Sequence, residues 1–344
     1  MNIRRRNAAI WVICLSAALF GAAAVDPFAA HGASAREQPR DMKQVYRERK
    51  QLFEQIESVT GIPWYYLAAI DQYDRTIRIA RKIPAARGLI AVYYSEPEWT
   101  GLANPNRDDR NPVSIALFQG IGRDGSGDGL ADRNDDLDVL SVLVSRLLAH
   151  GTGEKQLEEA LKERYRNERS VLRIMQFAKI YAAFGTLDLH RHAFPLPIRA
   201  DYSYRSTWGA SRSWGGYRIH EGTDLFASYG VPVRSTCYGM IEEMGWNRYG
   251  GWRIGIRDLD NIYHYYAHLS GFNKKLHKGD IVKPGQVIGW VGSSGYGKPG
   301  TQGKFPPHLH FGLYRDNGVK EWSFDPYPHL KRWEREERQR AGKG

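Results

Sequence analysis

The apolar periodicity of this chain changes once, at "LHRHAFPLPIRADY" (residues 189–202), and that change limits the possible folds more than any other feature. Before it the apolar residues recur at helical spacing. "LFEQIESV" places Leu52, Phe53, Ile56 and Val59 on one stripe, and "GIPWYYLAAIDQY" opens a helix with Pro63 near its first turn. "LDVLSVLVSRLLAHG" and "LRIMQFAKIYAAFG" each run to a glycine stop. After it, short runs of aromatic and β-branched residues alternate with turn signals such as "SYGVPV", "VKPGQ" and "SSGYG", the pattern of antiparallel strands. An α+β multidomain protein is predicted. Residues 36–50 form a charged spacer, 51–187 an all-α domain, 188–201 a linker carrying Pro195 and Pro197, and 202–328 an antiparallel β domain. The charged stretch 329–344 reads as a solvated helix or a disordered tail.

The 344 residues suffice for two domains, and 42% hydrophobic with 12% aromatic residues describes a globular chain. Arg4, Arg5 and Arg6 precede an uncharged apolar run of 18 residues, Ala8–Val25, and Ala33-Ser34-Ala35 offers a cleavage site. Residues 1–35 are therefore a signal peptide or, if uncleaved, a membrane anchor. The expected location is secreted or in the cell envelope. Removing residues 1–35 leaves 46 basic and 37 acidic residues, an excess that suits an anionic surface such as a cell wall; no nucleic-acid partner is expected. Cys237 would then stand alone, which excludes an intramolecular disulfide and a thiolate zinc cluster. A metal site in this chain must be built from histidine and carboxylate.

The β half supplies such residues. In "FPPHLHFGLY" His308 and His310 point to one face of a strand, with Leu309 and Phe311 on the other. "RIHEGTDLFA" carries His220 and Asp224 at an even spacing, again one face if extended. "NIYHYYAHLS" carries His264 and His268, which strict alternation places together with Tyr266 between them. His220, Asp224 and His310 make an N/N/O set with room for water in a fourth position, the ligand class of a catalytic zinc. His308 and His268 are left as imidazoles able to flank that water. His264 reads as structural, and Trp208, Trp214, Trp246 and Trp252 as core or groove residues.

"HEGTDLFASYGVPVRS", "YYAHLS", "DIVKPGQVIGWVGSSG" and "PPHLHFGLY" together resemble the lysostaphin/LytM-type (M23) zinc peptidases, over roughly residues 202–328. The resemblance implies an antiparallel-sheet zinc endopeptidase that cuts peptide bonds of peptidoglycan. It implies one catalytic zinc on His220, Asp224 and His310, with His268 and His308 as the catalytic histidines. His308 is then the expected base for the water and His268 the donor to the oxyanion or leaving amine, an order that can be exchanged. One departure is the long "YGKPGTQGKFPP" before the H-x-H.

A second resemblance covers residues 62–187. "IPWYYLAAIDQYDR", "SIALFQGIG", "DGSGDGLADRND" and "ALKERYRN" are similar to lysozyme-like soluble lytic transglycosylases. Where that family places an acidic Q-x-E-S, this chain has Gln72-Tyr73-Asp74-Arg75, and the neighbouring Arg75 would hold a carboxylate ionised. A glycan-binding or degenerate role is expected, with transglycosylase activity as the alternative. Asp124, Ser126, Asp128, Asp132 and Asp135 have EF-hand-like spacing, so the loop 124–135 is either a calcium site or an acidic turn.

Three classes thus compete: a zinc endopeptidase, a binding or activator module that grips peptidoglycan without cutting, and a carrier-like β hairpin domain in "GDIVKPGQVIGWVG". The complete five-residue set favours the first. The third lacks an acceptor-lysine motif. The bond cut and the oligomeric state are not legible.

Overall fold

In the computed structural model, residues 41–84, 88–212 and 218–342 are described. The expected signal or anchor segment 1–35, and Trp214, lie outside them. Among the described residues no helix is long and apolar enough to cross a membrane. The helices are α1 (Met42–Thr60), α2 (Trp64–Ala80), α3 (Glu96–Thr100), α4 (Pro112–Leu117), α5 (Asp136–Leu148), α6 (Glu154–Tyr165), α7 (Glu168–Phe184) and α8 (Tyr327–Ala341). The strands are β1 (Tyr202–Tyr204), β2 (Ser211–Arg212), β3 (Arg218–Ile219), β4 (Thr223–Ala227), β5 (Pro232–Arg234) and β6 (Gly239–Asn247), then β7 (Gly251–Asp258), β8 (Ile262–Phe272), β9 (Ile281–Val282), β10 (Val287–Val291), β11 (His308–Asp316) and β12 (Glu321–Phe324).

Two compact units emerge, and the division cuts through the helical half. Among the described residues, one comprises 41–45 with 88–151; the other joins 46–84 to 152–342. In the first, Trp99 is buried and its indole N–H donates to the Ala131 carbonyl at 2.9 Å. A Cβ on Gly122 would meet that indole at 2.6 Å, which accounts for the glycine. α5 is preceded by Asp135, whose carboxylate accepts the amides of Leu137 and Asp138, so the helix start is capped.

The second unit is built on a ten-stranded sheet in the order β1-β4-β11-β8-β7-β6-β9, with β10 pairing β5 and β8, and β12 pairing β11. Its ladders are antiparallel, as the alternating pattern predicts. Leu225, Ile254, Ile256, Tyr266, Leu309, Phe311 and Leu313 fill the core on one face. α7 belongs to this unit through polar as well as apolar contacts. Arg173 pairs with Glu242 and with Asp316, and buried Arg257 holds Glu242 at 3.1 Å and Glu321 at 2.8 Å. α2 contributes Gln72, which donates to the Leu259 carbonyl at 2.9 Å.

Two segments differ from their sequence reading. The proline-bearing stretch read as a linker is packed: Phe194 and Leu196 are fully buried in the sheet core, and the Pro195 carbonyl accepts from the Arg234 amide. The charged tail is helical but not simply solvated, because α8 turns Leu330 and Trp333 into the same core. Charges dominate its other faces and mask that stripe in the composition.

Candidate metal centre

Register brings the centre together. β11 pairs β4 with His310 opposite Asp224 and His308 opposite Phe226, and it pairs β8 with His310 opposite Ala267. Residues opposite one another share a face, so His308, His310 and Asp224 emerge together, away from Leu309, Leu225 and Phe311. His220 follows β3 and enters from the side, its ring fixed by Nδ1–H donation to the Thr207 carbonyl at 2.9 Å.

His268 reaches this face by a route alternation does not give. His264 and Tyr266 pair with Leu313 and Phe311 and lie on the core side, and strict parity would send His268 there as well. Instead His268 has φ +63°, a left-handed conformation, and the β7–β8 register slips between Trp252 and Ile254. The bulge turns the ring over. His268 lies 4.9 Å from the His308 ring and 5.9 Å from the His310 ring, centroid to centroid. The expectation that His264 and His268 share a face is thereby corrected.

Three ligand-type atoms converge: His220 Nε2 and His310 Nδ1 at 2.9 Å, His310 Nδ1 and Asp224 Oδ1 at 3.0 Å, His220 Nε2 and Asp224 Oδ1 at 3.1 Å. Zinc bonds of about 2.0–2.2 Å in tetrahedral geometry set ligand atoms roughly 3.3–3.5 Å apart. The triangle therefore fits a zinc ion after a few tenths of an ångström of expansion, and its two imidazoles and one carboxylate are the matching donors. Burial alone would raise the Asp224 carboxyl, but hydrogen bonds from His220 and His310 and the neighbouring imidazoles outweigh it and hold it well below the usual carboxylate range. Asp224 is thus ionised, as a ligand must be.

The two remaining histidines flank this triangle. His308 Nδ1–H donates to the Pro306 carbonyl at 2.9 Å, and its Nε2 lies 3.8 Å from Asp224 Oδ1. His268 Nδ1–H donates to the Ser294 carbonyl at 2.8 Å. Burial first, then the adjacent His308 and His310, push His268 well below the ordinary histidine range, so its ring is neutral. The long "YGKPGTQGKFPP" segment packs here: Phe305 lies 4.7 Å from His268 and 5.0 Å from His308, and Tyr296 stacks on His268 at 6.0 Å. The sequence marked the segment only as a departure; its aromatics on either side of a proline-rich turn were the available signal.

Gly222 sets the packing behind this triangle. A Cβ there would meet the Phe311 carbonyl at 2.6 Å and His310 Nε2 at 2.7 Å. Gly222→Ala should displace the His310 ring and weaken zinc binding by about 10- to 100-fold, the usual cost of disturbing a ligand's support. Competition against a chromogenic chelator measures this; an unchanged affinity would mean the ring tolerates the methyl.

Other expected site residues fall elsewhere. Asp74 is held by the Tyr165 hydroxyl at 2.9 Å and Arg164 at 3.1 Å, while Arg75 turns to Asp71 at 3.4 Å. The partner that holds Asp74 is therefore Arg164, not Arg75. The calcium expectation is not supported. Asp124 accepts the amides of Gly127 and Gly129, Asp128 that of Leu130, Asp132 that of Asn134, and Asp135 caps α5. Their oxygens are turned to the backbone, and the two converging ligand-type groups among the described residues both lie outside this loop. Trp246 and Trp252 pack edge to face at 5.2 Å.

Comparison with known proteins adds four findings. Residues 218–326 match the model of peptidase family M23. An L-Ala--D-Glu endopeptidase from Bacillus subtilis is 58% identical over 297 residues, 86% of this chain and 91% of that protein. Lysostaphin from Staphylococcus staphylolyticus is 42% identical over 115 residues, 33% of this chain and 22% of that one. Among solved structures, lysostaphin from Staphylococcus simulans aligns with a TM-score of 0.33 at 34% identity, over 42% of this chain and 54% of that one.

Proposed function

The chain belongs to peptidase family M23, and from that premise we propose that it is a peptidoglycan endopeptidase whose scissile bond is L-alanyl–D-glutamyl. That it is a zinc metallopeptidase of the cell wall follows from the family. The choice of bond rests on the 58% identity to the Bacillus subtilis L-Ala--D-Glu endopeptidase, which extends over nearly the whole of both chains rather than over the sheet unit alone.

His220, Asp224 and His310 are proposed as the zinc ligands, supported by their 2.9–3.1 Å triangle. When bound, zinc supplies Lewis acidity and brings the ionisation of a water toward neutral pH. His308 is proposed to accept that water's proton at Nε2, since its Nδ1 already carries the hydrogen donated to Pro306. His268 likewise presents Nε2, and donates to the oxyanion or leaving amine only after gaining a proton there. Phe305 and Tyr296 shield both rings from bulk water, which strengthens these contacts.

For the helical region we propose glycan binding without cleavage, because Arg164 occupies one oxygen of Asp74 and the Tyr165 hydroxyl the other. Burial, partly offset by Arg164, raises the carboxyl, the opposite of the ionised state expected from Arg75, so the proposal rests on that occupancy and not on the charge. Digestion of purified walls should release fragments with new D-glutamyl amino termini, read by mass spectrometry, and no anhydromuramyl ends. New termini on any other residue would overturn the bond assignment. Anhydro products that vanish in Asp74→Asn would make the protein a two-activity hydrolase.

A further inference from the structure

A second pair of imidazoles with a carboxylate converges in the sheet unit, on the core side of β8. His192 Nε2, Asp258 Oδ2 and His264 Nε2 belong to a group whose ligand-type atoms all lie within 4.8 Å of one another. His192 comes from the packed segment before β1, Asp258 ends β7, and His264 lies on β8. The proposed peptide hydrolysis uses none of them.

The outward-facing atoms of the cluster are satisfied. His192 Nδ1–H donates to the His190 carbonyl at 2.9 Å, and His264 Nδ1 lies 2.6 Å from the Thr236 hydroxyl. Asp258 Oδ1 accepts the amides of Asp260 at 2.9 Å and Ile262 at 2.8 Å. The inward atoms are left facing each other. His264 Nε2 is 2.9 Å from Asp258 Oδ2, and His192 Nε2 is 4.0 Å from the same oxygen.

An ordinary hydrogen bond explains the His264–Asp258 pair by itself. It does not explain His192. With its hydrogen on Nδ1, the neutral His192 ring aims a lone pair at a carboxylate oxygen, two acceptors face to face in a largely desolvated place. A proton on Nε2 would not bridge the gap, because 4.0 Å is beyond hydrogen-bond reach. The ring is also locked in plane, stacked on Trp333 at 4.8 Å and 4°. A cation between the two atoms satisfies both. Separations of 2.9 and 4.0 Å bracket the roughly 3.3–3.5 Å spacing of tetrahedral zinc ligands.

We propose that His192 Nε2, Asp258 Oδ2 and His264 Nε2 form a second divalent-metal site of the zinc class. It is structural: it ties the segment before β1 to β7 and β8, and Thr236 and the His190 carbonyl orient its two imidazoles as outer partners. The His192 side chain is 15% exposed, so the ion has an entry.

The test uses the full chain, loaded with zinc and dialysed against metal-free buffer, with elemental analysis and thermal unfolding as readouts. Wild type should hold two zinc ions, His310→Ala one, Asp258→Asn one, and the double variant none. In His310→Ala, added zinc should raise the unfolding temperature, and His192→Gln in that background should abolish the rise. One equivalent of cobalt(II) added to metal-free His310→Ala should give the visible bands of a tetrahedral site, a readout that needs no change within the cluster. A single zinc in wild type with none in His310→Ala would overturn the proposal. So would zinc that persists in His310→Ala combined with His192→Gln and Asp258→Asn.

Discussion

Alanine in place of His310 should strip zinc from the proposed catalytic site, whereas alanine in place of His308 or His268 should leave it bound and the protein nearly inactive. The two strand neighbours differ in what they face. His310 Nδ1 is a corner of the 2.9–3.1 Å triangle, and losing it leaves two ligands, which hold zinc far more weakly. His308 Nε2 stands 3.8 Å from Asp224 Oδ1, outside the triangle, and His268 is anchored on Ser294. Removing either deletes proton transfer or oxyanion support, on the order of 10²–10⁴ in rate. Zinc at the triangle is counted in an Asp258→Asn background, so that the second cluster does not enter the measurement, and set beside turnover. Equal zinc loss in all three variants would mean an undifferentiated cluster and would remove the proposed mechanism.

The largest expected effect on stability is Trp333→Ala. The indole is fully buried, stacks on His192, and meets Phe311 edge to face at 6.1 Å. Truncating such a residue costs about 3–5 kcal/mol. For a unit of this size that is on the order of 10 °C in unfolding temperature. Trp208→Ala, at an exposed position, is the control and should change little. A Trp333→Ala protein melting with wild type would mean that α8 adds nothing to the sheet unit.

These expectations show where sequence was informative. His308 and His310 sit on one regular strand, so even spacing put them on one face, and the pairing of β11 with β4 sets Asp224 opposite His310. His220 lies before β4, so its even spacing from Asp224 did not place it. His268 was legible as a candidate imidazole, but alternation placed it on the face of His264. Its left-handed φ breaks the alternation, and no local residue announces that. His192 was invisible for another reason: Asp258 and His264 lie more than sixty residues further along, and the tie beside His192 runs from the Ala193 amide to the Thr236 carbonyl, whose hydroxyl meets His264. The helices were legible from their stripes, but a stripe says that something is covered, not by what. α2 and α7 therefore looked like part of one helical domain while they pack in the sheet unit.

The bulge at His268 makes β8 a counted ruler. Four positions apart, the same strand delivers one imidazole inward and the next outward, and only the extra residue in its ladder permits this. Such a strand tolerates exchange of side chains better than any change in its length. Deleting one residue between 264 and 268 would restore regular alternation and leave one histidine facing the wrong side. Among natural variants of this chain, substitutions in that interval should therefore outnumber insertions and deletions, even conservative ones.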